Sequence, residues 1–538
     1  METDPTKLSG ETNNETRITS EINPETDSEA RTISEPEGSD SDINSHLSAD
    51  DLHKLGWSHL KEFRSTGVVG DLEQAVKYFS RAVALTPKEH PDVAKWLNSL
   101  GVSYSDRYRR MGSADDLQKS IDCNSRALEL TPDGHPDMSP RLADLGVSYT
   151  DRHRRMGNLD DLQKSIDCRS RALALTPDGH PDMSARLADV GVSYTDRYRR
   201  MGDLKDLQKS IDCRSRALAL TPEGHPDMSA RLDSLGVSYS DRYRRMGDLE
   251  DLQKSIDCFS RAVALTPDGH PRMSSRLANL GLSYTDRYRR MGSLENLQKS
   301  IECRFRALAL VPEGHPDMSA RLADLGMSYS DRYRRMGDLE DLQKSIDCRS
   351  RALALTPEGH PHMSPRLASL GVSYSDRYRR MGDLDDLEKS IDCFSRAVEL
   401  TPEGHPDMSV RLADLGASCS DRSQRMSSPE DLQKSIDCFS RALELTPEGH
   451  PDMSARLAYL GASYSDRYRR MGDLEDLQKS IDCRSRAVEL TPDGHPDMSA
   501  RLAYIGVSYS DRYRCMGDLD DLQKSIDCRS RALALTPE

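Results

Sequence analysis

The sequence is poor in aromatic residues and has no long hydrophobic run. Aromatic residues make up 5% and hydrophobic residues 36% of 538 positions, and the mean hydropathy is -0.72. This composition is nearer to that of a solvated chain than to that of a large packed core. No stretch approaches the roughly 18 apolar residues that cross a bilayer, and the start METDPTKLSGE lacks the features of a secretory signal. These absences predict a soluble, cytoplasmic protein without a membrane partner.

An excess of positive charge is also missing. The chain carries 75 Lys and Arg against 90 Asp and Glu, which gives a net charge of -15. Because a general nucleic-acid binder needs a basic surface that displaces counterions from phosphates, this balance argues against nucleic acid as a partner. The 12 Cys are few for a chain of this length, so a disulfide framework is not expected.

What the sequence does contain is a repeat with a period of 45 residues. A Met followed by Gly or Ser recurs ten times at this interval, from Met111 to Met516. A Pro recurs eleven times at the same interval, from Pro87 to Pro537. The repeats predict a single elongated domain over residues 50–538 in eleven units, preceded by a tail of residues 1–49.

Each unit reads as two helices, which we call helix A and helix B. In one unit, Gly202 has the position of a left-handed helix stop, Asp203 that of a cap for helix B, and Pro222 that of the end of helix B. The apolar residues between these signals recur three or four positions apart, as expected for helical faces. Those of helix A are Leu187, Val190, Tyr194, Tyr198 and Met201, and those of helix B are Leu204, Leu207, Ile211, Leu218 and Leu220. One hairpin cannot bury both its faces, so the units are predicted to stack.

The order of the repeated residues resembles the tetratricopeptide repeat (TPR). In the first unit the matching residues are Leu52, Leu55, Gly56, Ala75, Phe79, Ala82 and Pro87. In a later unit they are Leu142, Leu145, Gly146, Tyr149, Ser165, Ala172 and Pro177. The standard repeat has about 34 residues, so the extra residues here lengthen helix A and the turn between units.

Two subtypes of this family are similar to the chain. Residues 89–94 resemble the inter-repeat segment of kinesin-light-chain-type repeats. The whole repeat is most similar to the long arrays that precede CHAT (caspase-like) or NTPase modules in fungal and bacterial proteins. The resemblance implies an all-α, right-handed α-α superhelical solenoid of about 11 TPR-like helical hairpins.

The same resemblance implies a non-catalytic protein-protein interaction scaffold. Its concave groove would bind a peptide or helix of a partner protein. The alternative is that the chain is the sensor or regulatory portion of a larger CHAT protease or NTPase and is truncated here. This alternative rests on the last unit, which stops at residues 536–538 without a polar capping helix.

Repeated Cys and His residues do not form a catalytic or metal site in the sequence. Ten Cys, from Cys123 to Cys528, occupy a helix-packing position, where a free Cys behaves as a small hydrophobe. Ten His, from His90 to His495, each precede a Pro, and one nearby Asp is too few ligands for zinc. We therefore predict no catalytic residue, metal or cofactor. The His segment is interpreted as a turn whose Asp and Ser offset the unpaired N–H groups of the next helix.

The arginines near the end of helix A are the candidate binding residues. By similarity to TPR proteins, helix A lines the concave surface, and its groove-facing positions in one unit are Ala188, Val192, Thr195, Asp196 and Arg199. A row of guanidinium groups there would accept carboxylates of an extended or helical peptide. The candidate groove residues are Arg109, Arg154, Arg199, Arg244, Arg289, Arg334, Arg379 and Arg469, together with Asp196 and Asp241.

Two other interpretations of these arginines stay open at this point. Asp196 and Arg199 lie three residues apart and could pair with each other on the helix surface, for a few tenths of a kcal/mol. A groove for nucleic acid is the third interpretation, and the Asp residues that alternate with the arginines weigh against it.

One unit, at about residues 409–447, departs from the pattern. Cys419 and Ser423 replace both tyrosines of helix A, and Ser427 replaces the turn glycine. A left-handed Ser costs roughly 1 kcal/mol relative to Gly, and each lost aromatic ring about 3 kcal/mol if the space does not collapse. We predict that this unit is a hinge or a point of local unfolding.

The tail over residues 1–49 differs in composition from the repeats. It has 12 acidic residues against 3 basic ones and almost no large apolar residue. Such a segment cannot bury enough surface to offset its chain entropy, so the sequence predicts that it is disordered.

Overall fold

The computed structural model describes residues 47–87 and 89–535, which form helices and no strand. The all-α fold predicted from the 45-residue period is thereby confirmed for these residues. Residues 1–46, which hold most of the predicted tail, lie outside the described part of the chain. The helices are α1 (Ala49–Thr66), α2 (Val69–Leu85), α3 (Val93–Met111), α4 (Ala114–Glu129), α5 (Met138–Met156), α6 (Leu159–Ala174), α7 (Met183–Met201), α8 (Leu204–Ala219), α9 (Met228–Met246), α10 (Leu249–Ala264), α11 (Met273–Met291), α12 (Leu294–Ala309), α13 (Asp317–Met336), α14 (Leu339–Ala354), α15 (Met363–Met381), α16 (Leu384–Glu399), α17 (Met408–Met426), α18 (Pro429–Glu444), α19 (Met453–Met471), α20 (Leu474–Glu489), α21 (Met498–Met516) and α22 (Leu519–Ala534).

The described residues divide into two compact units, one ending at Ser283 and the other starting at Tyr284. In the first unit each odd helix, a helix A, packs on the even helix that follows it, and each even helix packs on the next odd one from α2 to α9. The second unit repeats this pattern from α12 to α22. Each unit is therefore a stack of helical hairpins, as predicted for a solenoid of this repeat.

The ends of the helices follow the local sequence signals. Gly202 has a φ of 73°, a left-handed conformation that is strained for other residues, and its N–H donates to Tyr198 O at 2.6 Å. The Asp203 side chain caps α8 by accepting the N–H of Lys205 at 2.9 Å. The predicted stop and cap are both confirmed.

The turn before helix A is held by the ring nitrogen of its repeated His. Asp182 makes no side-chain cap, and its own N–H donates to Nδ1 of His180 at 3.1 Å. All ten repeated His residues accept the N–H of the residue two positions on, at 3.1 to 3.2 Å. The His thus serves the turn, as predicted, but the N–H that it accepts belongs to the residue before α7, and Asp182 does not cap the helix as we expected.

The tyrosines and cysteines of the repeat pack between the helices. Leu207, Ile211 and Leu235 form a buried cluster, and Tyr198, Tyr239 and Cys258 pack against it. Burial raises the pKa of the Cys258 thiol to about 11, so the thiol stays protonated and inert at neutral pH. The apolar stripe predicted for helix A is wrong at its last residue, because the Met201 side chain is 62% exposed.

The divergent unit is packed in spite of its lost tyrosines. Cys419 is fully buried in a cluster with Phe394, Leu412 and other apolar residues. The Arg470 guanidinium of α19 donates to the carbonyl and hydroxyl oxygens of Ser423, at 2.9 and 3.0 Å, where other units have a tyrosine. Neighbouring groups therefore occupy part of the space that the smaller residues leave. That this unit is a hinge stays a prediction.

Ser427→Gly is expected to stabilise the divergent unit by about 1 kcal/mol. Ser427 has a φ of 57° and is the one non-glycine residue with a positive φ between Leu47 and Leu535, Lys88 excluded. Hydrogen exchange of the α17 and α18 amides measures the gain. Gly202→Ser, at the residue that follows α7, is the reciprocal control and should lose a similar amount of stability. Unchanged exchange in both variants would contradict the backbone-strain argument.

Candidate functional site

The candidate arginines connect each helix A to the next one. Arg154 Nη2 lies 2.9 Å from Oδ2 of Asp196, and Arg199 Nη2 lies 3.4 Å from Oδ2 of Asp241. The proposed pairing of Asp196 with Arg199, three residues on, is therefore wrong for this unit, because Asp196 pairs with the arginine of the preceding repeat. Arg109 makes the same bond to Asp151, at 2.9 Å. These ion pairs form a ladder across α3, α5, α7 and α9.

The ladder is looser in the second unit. Its Arg–Asp distances are 3.6 to 3.8 Å, and the pairs are Arg289 with Asp331, Arg334 with Asp376, Arg379 with Asp421 and Arg469 with Asp511. Arg469 also lies 3.5 Å from Asp466 of its own helix, the i,i+3 pairing expected from the sequence. Arg244 holds the same position in α9 and also has an interaction partner. In the seven arginines that form these pairs, 41 to 57% of the side chain is exposed.

A cavity of about 230 Å³ opens on the same face, among α7, α8 and α9. Its wall combines small apolar residues, among them Ala188 and Val192, with the charged residues Asp189, Asp227 and Arg231. Ala188 and Val192, which were predicted to face a groove, line this cavity. Thr195 is not groove-facing, because it is 3% exposed and its Oγ lies 2.7 Å from Ser210 Oγ of helix α8.

The floor of this cavity contains a buried arginine that sequence reasoning missed. Arg214 of α8 is 7% exposed, and its Nη1 donates to Ser234 O at 2.5 Å and to Ser238 Oγ at 2.6 Å. It passes so close to Gly191 that a Cβ there would lie 2.9 Å from Arg214 Cγ. Only glycine at this position of helix A leaves room for the arginine. Arg169, Arg304, Arg349 and Arg484 make the same bonds in other repeats.

The buried arginines remain cations at neutral pH. Burial lowers the pKa of Arg214 to about 10, and the nearby Arg199 lowers it further, while Asp196 and Asp241 oppose the shift. Burial likewise lowers the pKa of Arg349 and of Arg484 to about 10. The aspartates therefore lie between two layers of positive charge, the exposed arginines of helix A and the buried arginines of helix B.

A signal for this buried layer was present in the sequence. The position of Arg214 is held by phenylalanine in four other repeats, and each packs on the equivalent glycine. These residues are Phe79, Phe259, Phe394 and Phe439, with exposures of 0 to 2%. A position that accepts Phe in several copies of one repeat is a core position, so the arginines that alternate with Phe should also be buried.

A second set of arginines joins helix A to helix B on the side away from the ladder. Arg197 binds Asp206 through Nε and Nη2, at 2.7 and 2.5 Å, and its Nη1 donates to Gln163 Oε1 of the preceding repeat at 2.7 Å. The Tyr194 ring lies between the Arg197 guanidinium and the Lys209 ammonium, 5.4 and 5.2 Å from its centre. This arrangement recurs and holds neighbouring hairpins together.

The first repeat differs from the others on the groove face. His53 and Trp57 occupy the positions of Ala188 and Val192, and Trp57 Nε1 donates to His53 Nε2 at 3.2 Å. His53 is 3% exposed and also contacts Ser99 Oγ at 3.0 Å. Burial, and to a smaller extent the charge of Lys95, lower the pKa of His53 to about 4. The imidazole is thus neutral at physiological pH and serves as an acceptor.

Two kinds of site are absent from the described part of the chain. Within residues 47–87 and 89–535, no three His, Cys, Asp or Glu side chains converge in a way that could hold a metal ion. No helix in these ranges has the length and apolar character needed to cross a membrane.

The family comparison matches one full period of the repeat. Residues 93–137 match the profile of the tetratricopeptide repeat. No curated protein matches the chain. The matched segment contains α3 and α4, with Arg109 of the ladder and the first repeated Cys.

Several solved structures resemble parts of the chain. The nearly identical TPR-like repeats of a Podosopora anserina protein named for kinesin light chain are 15% identical, with a TM-score of 0.31 over 40% of this chain and 98% of that one. YrrB, a TPR protein with an unusual peptide-binding site, is 16% identical, with a TM-score of 0.30 over 44% and 93%. BtubC (BKLC) from P. vanneervenii is 19% identical, with a TM-score of 0.34 over 45% and 91%.

Proposed function

Because the chain is a tetratricopeptide-repeat protein, we propose that it is a protein-interaction scaffold whose groove face binds a peptide or helix of a partner protein. The observation that carries this proposal is the cavity beside the ladder: its lining residue Val192 lies seven residues, or two helical turns, before Arg199 on α7. Repeat folds of this kind are generally non-catalytic. That the chain is instead part of a CHAT protease or NTPase stays a prediction from the sequence.

The chemistry of the groove face favours a peptide with acidic and small apolar side chains. The Arg199 guanidinium uses one nitrogen for Asp241, and about half of its side chain is exposed. Its remaining N–H groups can donate to a carboxylate of a ligand. The alanine and valine side chains of the cavity wall leave space for small apolar groups, and Arg231 of the same wall adds a further cation. This combination supports the arginine ladder as the binding row.

The proposal is tested with the full chain and a displayed library of random peptides. Peptides selected on the wild-type chain are measured for binding by fluorescence polarisation. Arg154→Ala with Arg199→Ala should weaken binding about tenfold or more, which corresponds to about 1.4 kcal/mol. The matched control is Arg171→Ala with Arg216→Ala, two exposed arginines of the even helices α6 and α8.

The control variant loses the same number of positive charges but keeps the ladder. Its affinity for the selected peptides should therefore stay close to that of the wild type. If all three proteins bind the peptides with equal affinity, the ladder arginines do not contact the ligand and have only a structural role. Failure to select any peptide would overturn the proposed function itself.

A further inference from the structure

The first repeat reverses a charge that every other repeat keeps. At the helix A position where ten repeats carry Asp, among them Asp106 and Asp196, the first repeat carries Lys61. Lys61 follows Trp57 by one helical turn, so the two side chains lie on the same face of α1. Arg64 lies one further turn along and holds the position of Arg199. The beginning of the groove face is thus aromatic and cationic.

The contacts of these residues leave an open platform. Trp57 is 40% exposed, its ring edge meets Phe79 at 6.0 Å between centres, and its N–H is held by His53. The Arg64 guanidinium lies 6.0 Å from the Trp57 ring centre, and Asp106 neutralises it at 2.8 Å. We call Trp57, Lys61, Arg64 and Lys95 the entry patch.

The entry patch has spare positive charge. Lys61 of α1 and Lys95 of α3 are both exposed. No carboxylate of the described residues lies within ion-pair distance of either ammonium group. The acidic residues nearest in sequence are Glu62, beside Lys61, and Asp92, three residues before Lys95. Asp50 and Asp51 of the same helix face Lys54 at 2.6 and 4.0 Å. An exposed Trp beside unpaired cations has the composition of an interaction surface for an acidic segment.

An acidic segment of matching size precedes α1 in the same chain. Residues 35–42 read EPEGSDSD, with four acidic residues and no basic one. Asp42 lies seven positions before Ala49, and an extended chain of seven residue steps spans about 24 Å. Lys61 lies twelve residues into α1, about 18 Å along the helix. The segment can therefore reach the entire entry patch.

We propose that residues 35–42 of this chain occupy the entry patch. The four carboxylates would face Lys61 and Lys95, and the segment would cover the exposed ring of Trp57. A short tether places the segment at an effective concentration in the millimolar range, so weak contacts suffice. A ligand of the groove that extends to α1 would have to displace the segment. The contact does not depend on whether the groove binds a partner.

The test uses acrylamide quenching of tryptophan fluorescence in the full chain. The chain has 2 Trp, and because Trp96 is 3% exposed, quenching follows Trp57. Neutralising the segment, with Glu35→Gln, Glu37→Gln, Asp40→Asn and Asp42→Asn, should raise the quenching constant about twofold at low salt. Lys61→Asp should do the same, and it introduces the residue that the other ten repeats carry, so the fold is kept.

Salt and a matched control separate the contact from general charge effects. Raising the salt concentration to about 1 M, where the Debye length is about 3 Å, should bring the wild type to the level of the two variants and leave them unchanged. Lys205→Asp makes the same charge change on α8, where the other later repeats carry Asp or Glu, and should leave quenching unaltered.

Three outcomes would overturn the proposal. Equal quenching of the wild type and the neutralised variant at low salt would show that residues 35–42 do not cover Trp57. If the protection of Trp57 from acrylamide increases with protein concentration, a second copy of the chain, and not residues 35–42 of the same chain, covers the ring. A Lys205→Asp effect equal to that of Lys61→Asp would show that net charge alone changes the quenching.

Discussion

Arg332→Ala is expected to destabilise the hairpin of α13 and α14 by about 3 to 5 kcal/mol. Arg332 binds Asp341 through Nε at 2.7 Å and Nη2 at 2.5 Å, and the Asp341 side chain is 3% exposed. Removal of the guanidinium leaves a buried carboxylate without its cation. It also removes the bond from Nη1 to Gln298 of α12, at 2.7 Å. The loss therefore combines a buried charge with a broken contact between repeats.

Hydrogen exchange of the α13 and α14 amides is the appropriate measurement, because a repeat array opens locally and need not unfold in one step. Arg287→Ala is the matched control. Asn296 stands where Asp341 stands in the next repeat, so that variant leaves a neutral amide behind. Arg287→Ala should therefore destabilise its hairpin by only about 1 to 2 kcal/mol, as expected for a buried neutral group that loses its partner. Equal losses in the two variants would contradict the role of the buried charge.

Acidification from pH 7 to pH 4 is expected to weaken the first repeat by about 3 kcal/mol through His53 alone. The folded-state pKa of His53 is lowered to about 4 from an ordinary value of 6.5. The folded state therefore binds fewer protons than the unfolded state between these values. The contribution of His53 to stability is complete above about pH 6.5 and is lost progressively as the pH falls toward 4. A protonated Nε2 would also lose the bond that it accepts from Trp57.

Tryptophan fluorescence during denaturant unfolding reports this effect, because both Trp rings lie 6.1 to 6.5 Å from the His53 ring. The slope of stability against pH is compared between pH 6.5 and 5, above the range where most carboxylates titrate. His53→Ala gives the first repeat the residue found at the equivalent position Ala188, and it should remove the dependence of stability on pH in this range. A slope that persists in this variant would assign the acid sensitivity to other groups.

The local structure of the repeat could be predicted from the sequence because neighbouring residues decide it. Gly202 ends α7 in a left-handed conformation and Asp203 caps α8, whatever packs on them. The spacing of apolar residues placed both helices of the repeat. These features depend on contacts within a few residues of the chain.

The partners of the polar side chains could not be predicted in the same way. The sequence offers Asp196 several arginines as partners, in its own helix and in neighbouring repeats. The contact of α5 with α7 brings Arg154, not Arg199, within bonding distance. Thr195 lies one residue from the groove row but turns to Ser210 because α8 offers a hydroxyl there. His180 binds the residue before α7 because the turn places its Nδ1 within bonding distance of the N–H of Asp182.

The sequence by itself determined the period, the two helices of each unit and the turns that join them, since these follow from backbone preferences and helical spacing. Phe at the Arg214 position of other repeats indicated a core position, but only the tertiary structure decided that Arg214 lies under Gly191 while Arg199 remains half exposed. Both are arginines in amphipathic helices, and nothing local distinguishes them. What separates them is the distance at which one helix lies from the next, and glycine at the contact lets an arginine take the place of a phenylalanine.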